Sequence, residues 1–501
     1  MGLSRHRVLR PRHRRRAARG QGRRRPDHGA SALSRPRLAL ATLTLVGVLP
    51  GLATASRASA AAPRFSDGDG LHITSVTQVD PRRYLLSLTT PALVGTVHAT
   101  ILLPTGYAQN PTRRYPVLYL LPGTSGASSD WANFGAAEQT TAPYPMIVVS
   151  PDIDINGNGG GWCTDSYDGG AGGPPEWEAF HIDELLPWVD ANLRTIATRQ
   201  GRAIFGLSQG GFCAMSYAAR HPDLFSIAGS FSGADDIAFD PLDQLEGAAI
   251  IDLTAAGLDG APPESFFGDP YANAINWQDH DPTTLAENLA DTRLFEYTGD
   301  GMPGPLDTGL PNLEGMVIEA GVDQMTNDFH DRLETLGIPS TFLDYGPGTH
   351  SWPYWARDLK WSISRIAADF ATPASNPAAV DYTIADPSYS IYGWSVQLTP
   401  ATQRFTTLSG ADVDGFALQG TGSATVTTPA SYSPNTAVDT SLGSVRSDAS
   451  GRLTLDVPLG TGAAPARVAI TPPPAPVCAG RARARTSRHH RPLRTPACGR
   501  S

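Results

Sequence analysis

From residue 71 onward the apolar positions fall into short runs separated by polar, Gly and Pro punctuation. Residues 71–78, 84–89 and 95–103 are rich in Thr, Val, Leu and Ile and predict three extended segments, the antiparallel start of a sheet. More continuous runs at 115–121, 145–150 and 203–207, then at 224–231, 293–297 and 340–345, predict buried strands. Helical spacing of apolar residues marks 176–193, where Pro187 is placed to disturb the helix, and also 210–220, 312–336 and 353–370. Residues 234–290 read as loop-rich with short helices. Strands alternating with helices predict an α/β sheet covered on both faces.

The period changes after residue 370. Residues 371–380 read as a linker, and 381–471 as short alternating strands separated by Gly, Pro, Asp and Ser, which predicts a small all-β, sandwich-like accessory domain. Residues 472–501 are first proline-rich and then arginine-rich, with little to bury, and read as a disordered tail. At the other end, residues 1–60 combine a basic extension, the apolar run Leu38 to Leu49 and the small residues Ala60-Ala-Ala62, the order of a secretory signal peptide. The catalytic domain is thus expected over 61–370, exported to the exterior or the cell envelope, with no stable membrane span once the signal is removed.

Charge sharpens this division. Residues 1–37 hold 13 arginines and one acid, and residues 479–501 hold 7 arginines and no acid, leaving 19 basic against 47 acidic residues between them. An acidic body with basic ends does not offer the basic groove a nucleic-acid partner needs. The four cysteines are Cys163, Cys213, Cys478 and Cys498. An oxidising compartment permits a Cys163–Cys213 disulfide, and a buried thiol at Cys213 is the alternative.

The candidate chemistry centres on Gly206-Leu-Ser-Gln-Gly210, at the junction of the 203–207 strand and the following helix. A serine flanked by glycines two positions on either side is the signature of a nucleophile elbow, in which the tight turn tolerates no side chain at the flanking positions. A hydroxyl needs a base, and His350, on a loop after a buried strand and before a helix, is in the expected place. Asp300, Glu319 and Asp323 lie between the two and are open as the acid that orients the imidazole, with Asp300 favoured by its place just after a strand. The small-residue loop Pro122-Gly-Thr-Ser-Gly126 follows a central strand, where its backbone N–H groups can face developing negative charge.

Residues 115–370 resemble the serine esterase family that includes the mycobacterial antigen 85 mycolyltransferases and esterase-D-like enzymes. The resemblance is carried by Leu120-Leu-Pro-Gly123, Trp177-Glu-Ala-Phe180, Glu184-Leu-Leu-Pro-Trp188, Gly206-Leu-Ser-Gln-Gly210, Gly229-Ser-Phe-Ser232 and Thr349-His-Ser-Trp-Pro-Tyr-Trp355. It implies an α/β-hydrolase fold and a triad of Ser208, Glu319 and His350, the acid being Glu319 by its register with Phe329 and His350, with Asp300 second. It also implies an oxyanion hole from the backbone N–H groups of Gln209 and Thr124. Antigen 85 proteins carry an aspartate and an arginine where this chain has Pro122 and Ser125, a departure at the positions that serve trehalose.

The expected function is a secreted serine esterase that cleaves carboxylic esters, lipid or carbohydrate-linked, through an acyl-serine. The alternatives are an acyltransferase acting on a sugar or glycerol hydroxyl and a non-catalytic cell-envelope binding protein. No cofactor is called for. Asp152, Asp154, Asn156 and Asn158 alternate like the start of a calcium loop, but Cys163 stands where the closing glutamate belongs, so they are weak calcium candidates beside the reading as a polar loop. Trp131, Trp162, Trp177, Trp352 and Trp355 are candidates for walling an acyl or sugar site, or for the core.

Overall fold

The computed structural model describes residues 63–153, 161–168, 175–254, 262 and 264–471. The 1–60 segment read as a basic extension and signal peptide, Asp154, Asn156, Asn158, Cys478, Cys498 and the 472–501 tail lie outside the described residues.

A nine-stranded mixed sheet organises the first part of the chain. Its strands are β1 (His72–Gln78), β2 (Arg83–Thr90), β3 (Leu93–Leu102), β4 (Val117–Leu121), β5 (Ile147–Pro151), β6 (Arg202–Leu207), β7 (Ile227–Phe231), β8 (Arg293–Thr298) and β9 (Ser340–Asp344). They lie in the order β1-β2-β3-β5-β4-β6-β7-β8-β9. Pairing is antiparallel from β1 to β5 and parallel from β5 to β9. Every residue of β4, β5, β6 and β7 is buried, as parallel strands covered on both faces require.

The helices are α1 (Asp130–Asn133), α2 (Ala137–Thr141), α3 (Leu186–Asn192), α4 (Gln209–Arg220), α5 (Pro241–Thr254), α6 (Ala274–His280), α7 (Leu313–Leu336) and α8 (Trp352–Ala371). The helix expected over 176–193 is split into a π-helical Ala179–Leu185 and then α3. Pro187 sits at the start of α3, directly after the π-helical turn, and the bond to the preceding turn that its missing N–H cannot make falls at this junction. The loop-rich reading of 234–290 missed the 14-residue α5.

Two apolar clusters, one carrying Leu86, Tyr119, Phe212 and Trp277 and the other Leu118, Phe205, Phe231 and Leu359, form the core of this α/β part. Cys163 and Cys213 are joined in a disulfide. It ties the loop after β5 to the buried side of α4.

The remaining strands are β10 (Val380–Ile384), β11 (Ser388–Ile391), β12 (Trp394–Thr399), β13 (Thr406–Asp412), β14 (Gly415–Gln419), β15 (Gly422–Thr427), β16 (Ala437–Thr440), β17 (Gly443–Arg446), β18 (Thr454–Gly460) and β19 (Ala466–Thr471). They form two antiparallel sheets, β10-β13-β14-β19-β16-β17 and β11-β12-β15-β18. One apolar cluster takes Tyr382, Leu408, Leu418 and Ile470 from the first sheet and Ile391, Val396, Val426 and Val457 from the second, so the two sheets share a core.

This β domain docks on the α/β part at the C-terminal end of α4. Arg220 is buried there between Glu178 Oε1 at 3.0 Å, Asp279 Oδ2 at 2.7 Å and, from the β domain, Asp386 Oδ2 at 2.9 Å. Tyr382 Oη donates to Arg220 O at 2.5 Å, and Ala385 N–H to Asp279 Oδ1 at 2.6 Å.

Candidate active site

Ser208 stands between β6 and α4 with φ 54° and ψ −128°, a conformation that a residue with a side chain adopts only when its surroundings force it. The surroundings are backbone. A Cβ on Gly206 would lie 1.9 Å from Gly210 O, and one on Gly210 would lie 2.1 Å from Pro122 O. Glycine at both places is therefore a condition of the turn. The 122–126 loop closes on the serine from the side, since a Cβ on Gly123 would lie 3.2 Å from Ser208 Cβ.

Helix α4 begins at this turn, and Ser208 O accepts from Gly211 N at 2.8 Å and Phe212 N at 3.1 Å. Among the described residues the amides of Gln209 and Thr124 donate to no acceptor. The two residues meet through their side chains, Thr124 Oγ1 donating to Gln209 Oε1 at 2.6 Å. A free N–H at a helix N-terminus is an anion-binding group.

His350 reaches Glu319. Its Nδ1 lies 2.6 Å from Glu319 Oε2, with the imidazole 9 % exposed and the carboxylate fully buried. A carboxylate can only accept, so Nδ1 carries the proton and Nε2 is left as the acceptor. The other carboxylate oxygen receives Ser232 Oγ at 2.8 Å, Gly299 N at 3.0 Å and Tyr345 Oη at 3.4 Å. Trp355 Nε1 donates to Ser232 Oγ at 3.2 Å, and the Trp355 ring meets the His350 ring edge-to-face at 4.9 Å. Ser208 Oγ makes no hydrogen bond among the described residues.

Glu319 projects from α7, whose buried positions Gly315, Glu319, Val322, Met325, Thr326, Phe329 and Leu333 share one face of the helix. Asn312 caps this helix by accepting from Gly315 N, and His350 N–H bonds to Gly315 O at 3.0 Å, which fixes the histidine loop to the first turn of α7.

Asp300 is elsewhere engaged. Its Oδ1 accepts from Met302 N at 2.8 Å, and it makes no contact with His350 among the described residues. Asp323 does not reach the imidazole either. Burial, with the Asp344 charge behind it, pushes its carboxyl up to about 6. Asp152 accepts from Ser128 N at 2.8 Å through one oxygen and from His98 N at 2.8 Å through the other. Among the described residues no group of three or more His, Cys, Asp or Glu is arranged to hold a metal ion.

The other described histidines have structural partners. His181 is held by Tyr217 Oη and Asp152 O, both at 2.9 Å, and burial lowers it to about 4. His221 meets Glu178, and His330 meets Glu296. Trp131, Trp162, Trp177 and Trp355 are buried, and only Trp352 of the five keeps partial exposure. Sequence reasoning gave no role to Ser232 or Tyr345. The available signal for Glu319 was a carboxylate standing in the apolar stripe of α7.

Known proteins resemble this chain over the same region. The family model described as Putative esterase matches residues 90–364. Esterase Rv1288 of Mycobacterium tuberculosis is 33 % identical over 324 residues, covering 63 % of this chain and 65 % of that protein, so the chain spans just under two thirds of its relative's length. Diacylglycerol acyltransferase/mycolyltransferase Ag85A of M. tuberculosis is 30 % identical over 273 residues, 52 % of this chain and 76 % of the relative. The crystal structure of M. tuberculosis MPT51 (FbpC1) superposes with a TM-score of 0.45 at 25 % identity, covering 56 % of this chain and 97 % of that one. With more than half of its length inside the family model, the chain belongs to the Putative esterase family and carries an esterase-like domain of the α/β-hydrolase superfamily with an added β domain.

Proposed function

We propose that the protein is a secreted serine esterase that cleaves carboxylic esters through an acyl-enzyme on Ser208. The observation that supports this most is the buried 2.6 Å contact between His350 and Glu319, which gives the imidazole the tautomer a general base requires. Ser208 Oγ attacks the ester carbonyl and passes its proton to His350 Nε2. The tetrahedral oxygen takes the N–H groups of Gln209 and Thr124, donors already oriented before charge appears. Collapse expels the alcohol, which receives the proton from His350. Water, deprotonated by the same nitrogen, attacks the acyl-serine and releases the acid. Glu319 holds the imidazole and stabilises its charged form.

Acyl transfer to a sugar or glycerol hydroxyl is the second reading, favoured by the 30 % identity to an acyltransferase. The two readings differ only in the nucleophile that attacks the acyl-serine. Product analysis on a short acyl ester, with and without excess glycerol or trehalose, separates them. Free acid whatever the acceptor supports the esterase, and acylated acceptor supports transfer. Ser208→Ala is expected to reduce turnover at least a thousandfold while the protein stays folded, and retained turnover rejects both readings.

A further inference from the structure

At the seam between the α/β part and the β domain lies a cleft of about 530 Å³, within the range of small-ligand sites. Its lining includes Tyr392, Trp394, Tyr432, Asp223, Asn376 and Asp412. We propose that this cleft is a binding site for a neutral saccharide, through which the enzyme holds a polymer bearing its ester.

Unused hydrogen-bonding capacity is the first reason. Trp394 is 3 % exposed, yet its indole N–H makes no hydrogen bond among the described residues and is not closed off from solvent, so it is free to meet a ligand. Its ring is held edge-to-face against Phe416 at 5.4 Å, so the N–H cannot easily swing away. Around it, Asn376 spends its carbonyl oxygen on Gln200 and keeps two donors, and Asp412 spends one oxygen on Asp414 N and keeps the other. Asp223 gives one oxygen to Tyr392 N at 3.1 Å. The lining therefore offers both spare donors and spare acceptors beside tyrosine rings. A sugar presents the complement, hydroxyls that both donate and accept and apolar C–H faces.

Charge narrows the ligand class. The carboxylates oppose an anion. The nearest cation, Arg199, is consumed by main-chain carbonyls, with Nε on Pro222 O and Nη2 on Asp291 O, both at 2.6 Å. A purely apolar ligand would strand the polar groups.

The location says what binding would do. Asp223 follows the C-terminus of α4, whereas Ser208 precedes its N-terminus, and a helix of this length separates them by about 18 Å. A sugar in the cleft stays clear of the nucleophile, so it anchors the enzyme without entering the reaction.

The test is isothermal titration of the intact protein with cellotetraose, xylotetraose, maltotetraose and chitotetraose, alongside Trp394→Phe and Asp412→Asn. The expected result is binding of at least one tetrasaccharide with Kd near or below 1 mM. It should weaken tenfold or more in each variant, while turnover of a small soluble ester stays the same. Trp394→Phe keeps an aromatic ring and removes the N–H, and the more exposed Asp412→Asn serves if the first variant fails to fold. Absence of binding across the four sugars overturns the proposal, as does binding that both folded variants leave unchanged.

Discussion

Glu319 is fully buried, and an ionised carboxylate survives burial only if its lone pairs are used. Here they are, by His350 on one oxygen and by Ser232, Gly299 and Tyr345 on the other. On the proposed mechanism Glu319→Gln is expected to lower kcat by about 10³–10⁴, because the amide can present N–H to Nδ1 and select the wrong tautomer. Asp300→Asn should stay within about threefold of the native rate, and a larger loss for it than for Glu319→Gln rejects the assignment. Ser232→Ala removes one donor and the link to Trp355, and about a tenfold fall in kcat with KM little changed is expected from steady-state kinetics. A second buried acid behaves differently. Burial pushes Asp235 up to about 7 from its ordinary 3.8. The unfolded chain therefore releases this proton first, and the native state loses stability as pH rises between about 4 and 7, with the full penalty above that window. Asp235→Asn cannot ionise. It should gain on the native protein across the same window, by about 1–3 kcal/mol at pH 8 and little at pH 4, read from denaturant midpoints.

At the scale of elements, the strand-turn-helix around Ser208 was legible because its requirement is local: glycine where a Cβ would collide with backbone. Gly206→Ala places a carbon 1.9 Å from Gly210 O, a clash with main chain that no side-chain rotation relieves. A loss of more than about 3 kcal/mol, or failure to fold, is expected by chemical denaturation. His350 was legible for a similar reason, being a histidine between a buried strand and a helix. The acid was not legible from spacing, which favoured Asp300; the family resemblance chose Glu319 by its register with Phe329 and His350, and it is Glu319, carried on α7, whose carboxylate meets the imidazole. The long apolar strands of the main sheet were read within a few residues, whereas β10, β11, β16 and β17 do not stand out individually in the 381–471 pattern. Each is four or five residues long, and Ser388–Ile391 or Gly443–Arg446 contains too few apolar residues for alternation to stand out. Helix α5 hid in a stretch whose Pro, Asp and Gly content resembles loop.

At the scale of the molecule, the C-terminal strands were expected to form a separate module after a linker, with its relation to the rest undecided. The Arg220 site supplies that relation. The guanidinium sits among three carboxylates, one contributed by the β domain, and Asn288 adds a reciprocal pair, accepting from Thr383 N at 2.9 Å and donating to Thr383 O at 2.8 Å. Arg220→Met leaves Glu178 and Asp279 buried without their cation, and a loss of about 3–5 kcal/mol is expected. Truncation after Thr372 removes Asp386, Ala385 and Tyr382 together. The shortened chain should unfold at lower denaturant than the whole protein, and an unchanged midpoint would mean that the β domain is merely attached.

The bond between Cys163 and Cys213 has a practical consequence. It spans 50 residues and ends on the helix that starts at Ser208, so its loss is expected to cost about 4 kcal/mol, spent close to the chemistry. Protein made in a reducing cytoplasm would lack this brace, and, because both cysteines are buried, dithiothreitol added during purification would remove it only from molecules that open. Preparations that differ in oxidation history would then differ in heat tolerance and shelf life while sharing one sequence and one mass to within two hydrogens, a variable to fix before activities are compared.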